Sequence, residues 1–150
     1  MGTCPRMVPH PRSRRRRWAV VLAAMAAGGC LAACGASDSD RIKDVVRNYI
    51  QAVLDDDGKA ACDLLTADAA KAFVDKVKAQ LKTTDCAKAF QTEAGTLNDE
   101  EKSVYRSAVL KGVTVNDDKA IVTVQFIGAS KDISLQKVNG DWKISSGPTG

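Results

Sequence analysis

The apolar residues of this chain change their spacing once, and that change limits what it can fold into. Between residues 42 and 54 they stand at Ile42, Val45, Val46, Tyr49, Ile50, Val53 and Leu54, the progression that lines one face of a helix. Between residues 120 and 144 the runs rich in Val, Ile, Thr and Phe alternate instead, as strands do. Helices first and strands afterwards give an α+β domain, with N-terminal helices packed on an antiparallel sheet of about four strands.

The same reading places the elements. A helix spans Asp38 to Asp56, with Asp38, Ser39 or Asp40 as its cap and Gly58 free to take the left-handed conformation beyond it. A short second helix covers Lys59 to Leu65. Thr66 caps a third, whose apolar face carries Ala69, Ala70, Phe73, Val74 and Val77. A fourth begins at Thr83, Thr84 or Asp85 and runs through Phe90. Glu93 to Lys102 is polar and irregular and reads as a flexible loop. Val104 to Val115 is strand-like, with a bend at Lys111-Gly112 and a turn at Asn116-Asp117-Asp118. Ala120 to Ile127, Ile133 to Val138 and Asp141 to Ser145 follow as strands. Gly128 to Lys131 turns the chain, and Asn139-Gly140 is a hairpin signal. One sheet face then carries Ala120, Val122, Val124, Phe126, Ile133, Leu135, Trp142 and Ile144, and the helices pack there.

The first 33 residues of the chain have another character. Arg12 and Arg14 to Arg17 form a basic start, followed by a 16-residue apolar run from Trp18 to Ala33. That run is short of the roughly 20 residues a membrane span needs. A basic start, a short apolar core and small residues at its end make an export signal. Met7 competes with Met1 as the true start. Ser13-Arg14-Arg15 matches a twin-arginine signal only partly, so the general export route is expected.

The signal closes on Leu31-Ala32-Ala33-Cys34-Gly35, which resembles the lipobox of bacterial lipoproteins. Cys30 is a rival, but Ala27-Gly28-Gly29 before it lacks the aliphatic residue. The resemblance implies a diacylglycerol on the Cys34 thiol, cleavage before Cys34 and often a further acyl chain such as palmitate. Two or three chains hold a protein durably, each buried methylene contributing about 0.8 kcal/mol. The expected organisation is a signal peptide over residues 1–33, a lipidated Cys and short linker over 34–40, a domain over 41–146 and a disordered tail over 147–150. The domain would sit on the outer, extracytoplasmic face of the cell membrane, with membrane lipid as its first partner.

Processing at Cys34 would remove Cys4 and Cys30 and leave Cys62 and Cys86. An even pair in an oxidising compartment reads as a disulfide. It would staple the second helix to the fourth. Two sulfurs without His do not complete a zinc site, and no metal or cofactor is assigned. The Asp55-Asp56-Asp57 run lacks the alternating ligands and the closing Glu of a calcium loop, and reads as a solvated helix end.

The segments Tyr49-Ile50-Gln51-Ala52-Val53, Ala60-Ala61-Cys62-Asp63-Leu64-Leu65-Thr66, Asp85-Cys86-Ala87-Lys88-Ala89-Phe90 and Val138-Asn139-Gly140-Asp141-Trp142-Lys143-Ile144 together support a family resemblance. The chain resembles small secreted lipoproteins of high-GC bacteria with a nuclear-transport-factor-2-like, cystatin-like cone domain. The resemblance implies a curved sheet wrapped around helices, with an apolar cavity.

Function is constrained mostly by exclusion. The only His, His10, lies in the leader, so the exported domain holds no His-based triad, dyad or metal site. From Cys34 onward 13 Lys and 3 Arg face 15 Asp and 3 Glu, which removes the basic footprint of nucleic-acid binding. No Asp or Glu falls on an inward strand position between Ala120 and Gln136, so a non-enzymatic protein is expected. The leading reading is a lipid-anchored domain that binds a small apolar ligand or an envelope protein, with Tyr49, Phe73, Phe126 and Trp142 as cavity candidates. The alternatives are an accessory lipoprotein acting by protein contacts alone, and a small cone-fold enzyme of isomerase or hydratase type.

Overall fold

The structure, a computed structural model, describes residues 37–147. The readings placed on residues 1–36 and 148–150, the export signal, Cys34 and most of the tail among them, lie outside the described residues. Five helices precede four strands: α1 (Asp38–Leu54), α2 (Gly58–Asp63), α3 (Ala67–Leu81), α4 (Cys86–Gly95), α5 (Asp99–Arg106), β1 (Val109–Asn116), β2 (Lys119–Phe126), β3 (Ala129–Val138) and β4 (Asp141–Ser146). The class is the expected α+β one.

Side-chain caps mark the helix starts. Ser37, rather than Asp38, Ser39 or Asp40, caps α1 by accepting from the Asp40 amide. The acids Asp38 and Asp40 then sit in the first turn, where the helix dipole favours them. Asp57, Thr66 and Asp85 cap α2, α3 and α4 in the same way.

The expected loop between Glu93 and Lys102 is instead largely helical. α4 runs on to Gly95, and Asn98 opens α5 through a reciprocal capping box with Glu101. The acids that made this segment look irregular are the first turn of a helix. Val104 and Tyr105 belong to that helix, and the first strand starts later, at Val109.

The strands form an antiparallel meander in the order β1-β2-β3-β4. A register shift between Leu110 and Gly112 marks the expected bend, and a second lies between Ser134 and Leu135. Such bulges strengthen the local twist of a sheet. Asn139 (φ 53°) and Gly140 (φ 91°) make the tight β3–β4 turn. The turn before β3 is shorter than the expected Gly128 to Lys131: Phe126 already pairs with Ala129.

All eight residues of the expected inward face are buried. Against them lies the α1 stripe, with Ile42, Val46, Tyr49, Ile50 and Val53 each 7 % exposed or less. The first turn of α1 is tied to the β3–β4 hairpin: Asp38 accepts from Lys137 Nζ at 3.0 Å and from Trp142 Nε1 at 3.2 Å. These bonds, Lys137 first and Trp142 second, hold the Asp38 carboxyl below its ordinary range. The far edge of β4 is closed by the α2–α3 link. Thr66 N–H donates to the Ile144 carbonyl and Ile144 N–H to the Leu64 carbonyl, both at 2.8 Å.

α2 meets α4 at close quarters. The Cys62–Cys86 disulfide joins them with Cα atoms 6.1 Å apart. The bond spans a sequence separation of 24, and closing a loop of that length contributes about 3.5 kcal/mol in the chain-entropy account. Gly58 does not take the left-handed role expected of it; Asp56 does, at φ 56°. Gly58 opens α2 instead, and a Cβ there would stand 2.0 Å from the Ala87 carbonyl oxygen. Only glycine permits this approach. Gly58→Ala is therefore expected to lower stability by about 2–3 kcal/mol with the disulfide intact. Urea unfolding of the two proteins measures it, and equal midpoints would show that α2 and α4 can separate freely.

Candidate functional site

A cleft of about 260 Å³ opens between the helices, walled by the rings of Tyr49, Phe73, Phe90 and Tyr105. Lys76 and Glu93 supply its polar lining. A neighbouring recess of about 240 Å³ shares Tyr49, Phe73, Lys76 and Phe90 and reaches toward the end of β4 at Ser145 to Gly147. The rings that separate these spaces are in mutual contact. Tyr49 meets Phe90 edge-on with centroids 5.7 Å apart, and Phe73 meets Phe90 at 5.0 Å.

Each wall is placed by a separate local device. Tyr49 comes with the α1 stripe. Phe73 lies on the half-buried face of α3. Phe90 stands four residues after Cys86, one helical turn on, so the disulfide that fixes α4 also orients Phe90. Tyr105 lies in the last turn of α5. That helix is held to the α1–α2 bend by Lys102, whose Nζ lies 3.0 Å from Asp56 Oδ1 in a largely covered ion pair. The Tyr105 ring rests edge-on against Phe126 at 6.1 Å.

Beside Lys76 and Glu93, the cleft presents two phenols. Tyr49 is 2 % exposed. Burial, and then the neighbouring Tyr105, push its hydroxyl well above the ordinary phenol range. Tyr105 is raised too, by burial and then by Glu101. Both phenols are therefore neutral at pH 7. Among the described residues no fully enclosed side-chain polar atom lacks a partner, and no hydrogen bond acts on the Tyr49 hydroxyl, so that hydroxyl is not sealed in; the residue lines both the cleft and the neighbouring recess. Among the same residues no group of three or more His, Cys, Asp or Glu gathers as a metal would require.

Of the four residues expected to line a cavity, the structure brings together two, Tyr49 and Phe73. Phe126 lines a separate, smaller cleft of about 120 Å³ with Val104, Tyr105, Ala129 and Lys131. Trp142 does not line the ring-walled cleft; it is 5 % exposed and committed to the core and to Asp38. Phe90 and Tyr105 were not among the expected residues. The one-turn spacing from Cys86 could have singled out Phe90. Nothing local singles out Tyr105, whose segment has the apolar pattern of a strand and is helical in the structure.

A sequence-family profile described as "Putative lumazine-binding" matches residues 37–146. No curated protein sequence matches the chain. Among solved structures, the chain is similar to a "Putative NTF2-like transpeptidase" from Campylobacter jejuni at 15 % identity and TM-score 0.47, covering 74 % of this chain and 100 % of that one. A protein of unknown function from Mycobacterium tuberculosis shows 15 % identity and TM-score 0.41, over 71 % and 67 % of the two chains. A "Putative calcium/calmodulin dependent protein kinase II association domain" from Xanthomonas campestris shows 14 % identity and TM-score 0.38, over 77 % and 91 %. Likenesses this distant say nothing of function.

The burial of the two phenols has a direct optical consequence. In an alkaline titration of residues 37–147, tyrosinate absorbance is expected to rise above pH 10 rather than around it, and Tyr49→Phe removes the later part of the rise. Ionising a phenol whose folded pKa is raised weakens the fold, so stability falls as pH climbs past the unfolded value of about 10. A simple transition near pH 10 with the fold intact would contradict the buried placement.

Proposed function

The chain belongs to the family described as "Putative lumazine-binding", and on that premise we propose that its folded domain binds a small, mostly apolar ring compound from an anchor at the extracytoplasmic membrane surface. The observation that carries the reading is the cleft of about 260 Å³ walled by Tyr49, Phe73, Phe90 and Tyr105. Four aromatic rings around one space are a large share of a chain with only 3 Phe, 2 Trp and 2 Tyr. Flat apolar walls with a few polar groups are the usual construction of a small-molecule site. A planar ligand can stack or meet these rings edge-on, contacts worth about 0.5–1.5 kcal/mol each beyond burial.

The proposal is for binding rather than catalysis. Glu93 and Lys76 line the cleft, but a reaction of isomerase or hydratase type needs a positioned acid and base on the substrate. The phenols are held neutral, and the sole His of the sequence lies in the leader. The anchor is proposed from Leu31-Ala32-Ala33-Cys34, a lipobox-like sequence ahead of the helix that begins at Asp38. With so few residues between Cys34 and α1, lipidation would keep the cleft near the bilayer surface.

Two measurements test the two halves. Binding of lumazine and of 1-anilinonaphthalene-8-sulfonate, followed by fluorescence anisotropy, is expected to be saturable. Phe73→Ala should weaken it by about tenfold, equivalent to 1.4 kcal/mol. Absence of saturable binding by both probes would favour the accessory reading, in which the domain acts by protein contacts. Separately, the full chain expressed in a bacterial host should leave the membrane fraction when Cys34→Ser is introduced. An unchanged membrane fraction would remove the anchor.

A further inference from the structure

We propose that the Tyr49 hydroxyl is the polar anchor of the ring-walled cleft, and that it selects planar ring ligands bearing a hydrogen-bond acceptor, a carbonyl or a neutral ring nitrogen, over plain hydrocarbons. This rests on the reading of that cleft as a ligand site and adds to it the chemistry of the ligand.

Three observations converge on the hydroxyl. Tyr49 sits mid-way along α1 with its ring locked edge-on against Phe90, so the phenol has one fixed direction. The residue is 2 % exposed, yet its hydroxyl is governed by burial and by Tyr105 and by no hydrogen bond from a described residue. The hydroxyl is not sealed in, because no enclosed side-chain polar atom among the described residues goes without a partner. A nearly buried group of this kind costs stability unless something satisfies it. Phenylalanine would fill the same volume without that cost. Tyr49 lines the space walled by Phe73, Phe90 and Tyr105, and Tyr105, which lines that space and not the neighbouring recess, is the residue whose field reaches the Tyr49 hydroxyl.

The direction of the bond follows from the chemistry of the phenol. Burial keeps it protonated far beyond neutral pH, so it offers a proton at all ordinary pH values. A ligand acceptor therefore meets a donor, in surroundings where competing water is scarce and the bond correspondingly strong. A hydrocarbon of the same outline would leave the hydroxyl unsatisfied on binding.

The test is a matched pair of probes, naphthalene and quinoline, which differ by one ring nitrogen and are both neutral at pH 7.5. Binding to the full chain and to its Tyr49→Phe variant is read from two-dimensional ¹H–¹⁵N NMR titrations. The expected result is that Tyr49→Phe weakens quinoline by about five- to tenfold, the net worth of one hydrogen bond, and leaves naphthalene unchanged. The variant should melt at the same temperature or higher, since the lost hydroxyl has no partner among the described residues. Equal affinities of quinoline for the two proteins, with naphthalene still bound in the cleft, would overturn the anchor and leave the cleft reading standing. A lowered melting temperature would show the hydroxyl bonded within the protein and would also overturn it. If neither probe perturbs the cleft residues of the wild-type domain, the anchor and the cleft reading fall together.

Discussion

The α1 stripe packed on the inner face of the sheet is the contact on which the rest of the molecule depends. Ile42, Val46, Tyr49, Ile50 and Val53 meet Val122, Val124, Ile133, Leu135 and Ile144 in one continuous core. A helix with an apolar stripe and a sheet with one apolar face each need a cover, and here each covers the other. At about 25 cal/mol per Å² of apolar area removed from water, a seam of this kind outweighs the surface ion pairs. Its ends are pinned by polar contacts: Asp38 with Lys137 and Trp142 at one, Asp56 with Lys102 at the other.

The seam leaves one shoulder of α1 uncovered by strands, and the remaining helices close over it. α2 and α4 are joined by the Cys62–Cys86 bond and by a backbone approach that only Gly58 allows. α3 packs on α4 through a small cluster of its own, Val74, Val77 and Ala89. The helices thus meet as a frame with a space inside, lined by what each contributes inward. Rigid attachment of α4 has a functional side: Phe90 is presented at a set angle to both Tyr49 and Phe73. A preformed ring-lined space loses less to ordering when a ligand enters.

Much of this was legible before the fold was known. The seven apolar positions of α1, the eight inward positions of the sheet and the Asn139-Gly140 turn follow from period and turn chemistry alone. The Cys62–Cys86 bond, present in the structure, is the pairing expected once processing at Cys34 sets the other three cysteines aside. The errors fell where local signals are short. Residues 93–102 carry acids that look like loop, because a capping box and an acidic first turn are as polar as a loop is. Gly58 after three aspartates has the look of a turn residue, whereas its service is to let α2 approach Ala87, a demand set by a segment nearly thirty residues away.

The candidate site divides along the same line. By itself the sequence determined the class of fold and the two faces of the core, because each depends on residue type and near-neighbour spacing. Which aromatic residues share a space was decided only by the tertiary structure. Trp142 and Phe126 satisfy the same inward pattern as Tyr49, yet Trp142 is drawn to Asp38 and Phe126 to a different cleft. Phe90 and Tyr105 take the places beside Tyr49 and Phe73 because α4 is fixed by its disulfide and α5 by its ion pair. The physical reason is that a period along the chain tells a side chain which face to occupy, while its neighbours on that face are chosen by how separate elements cross.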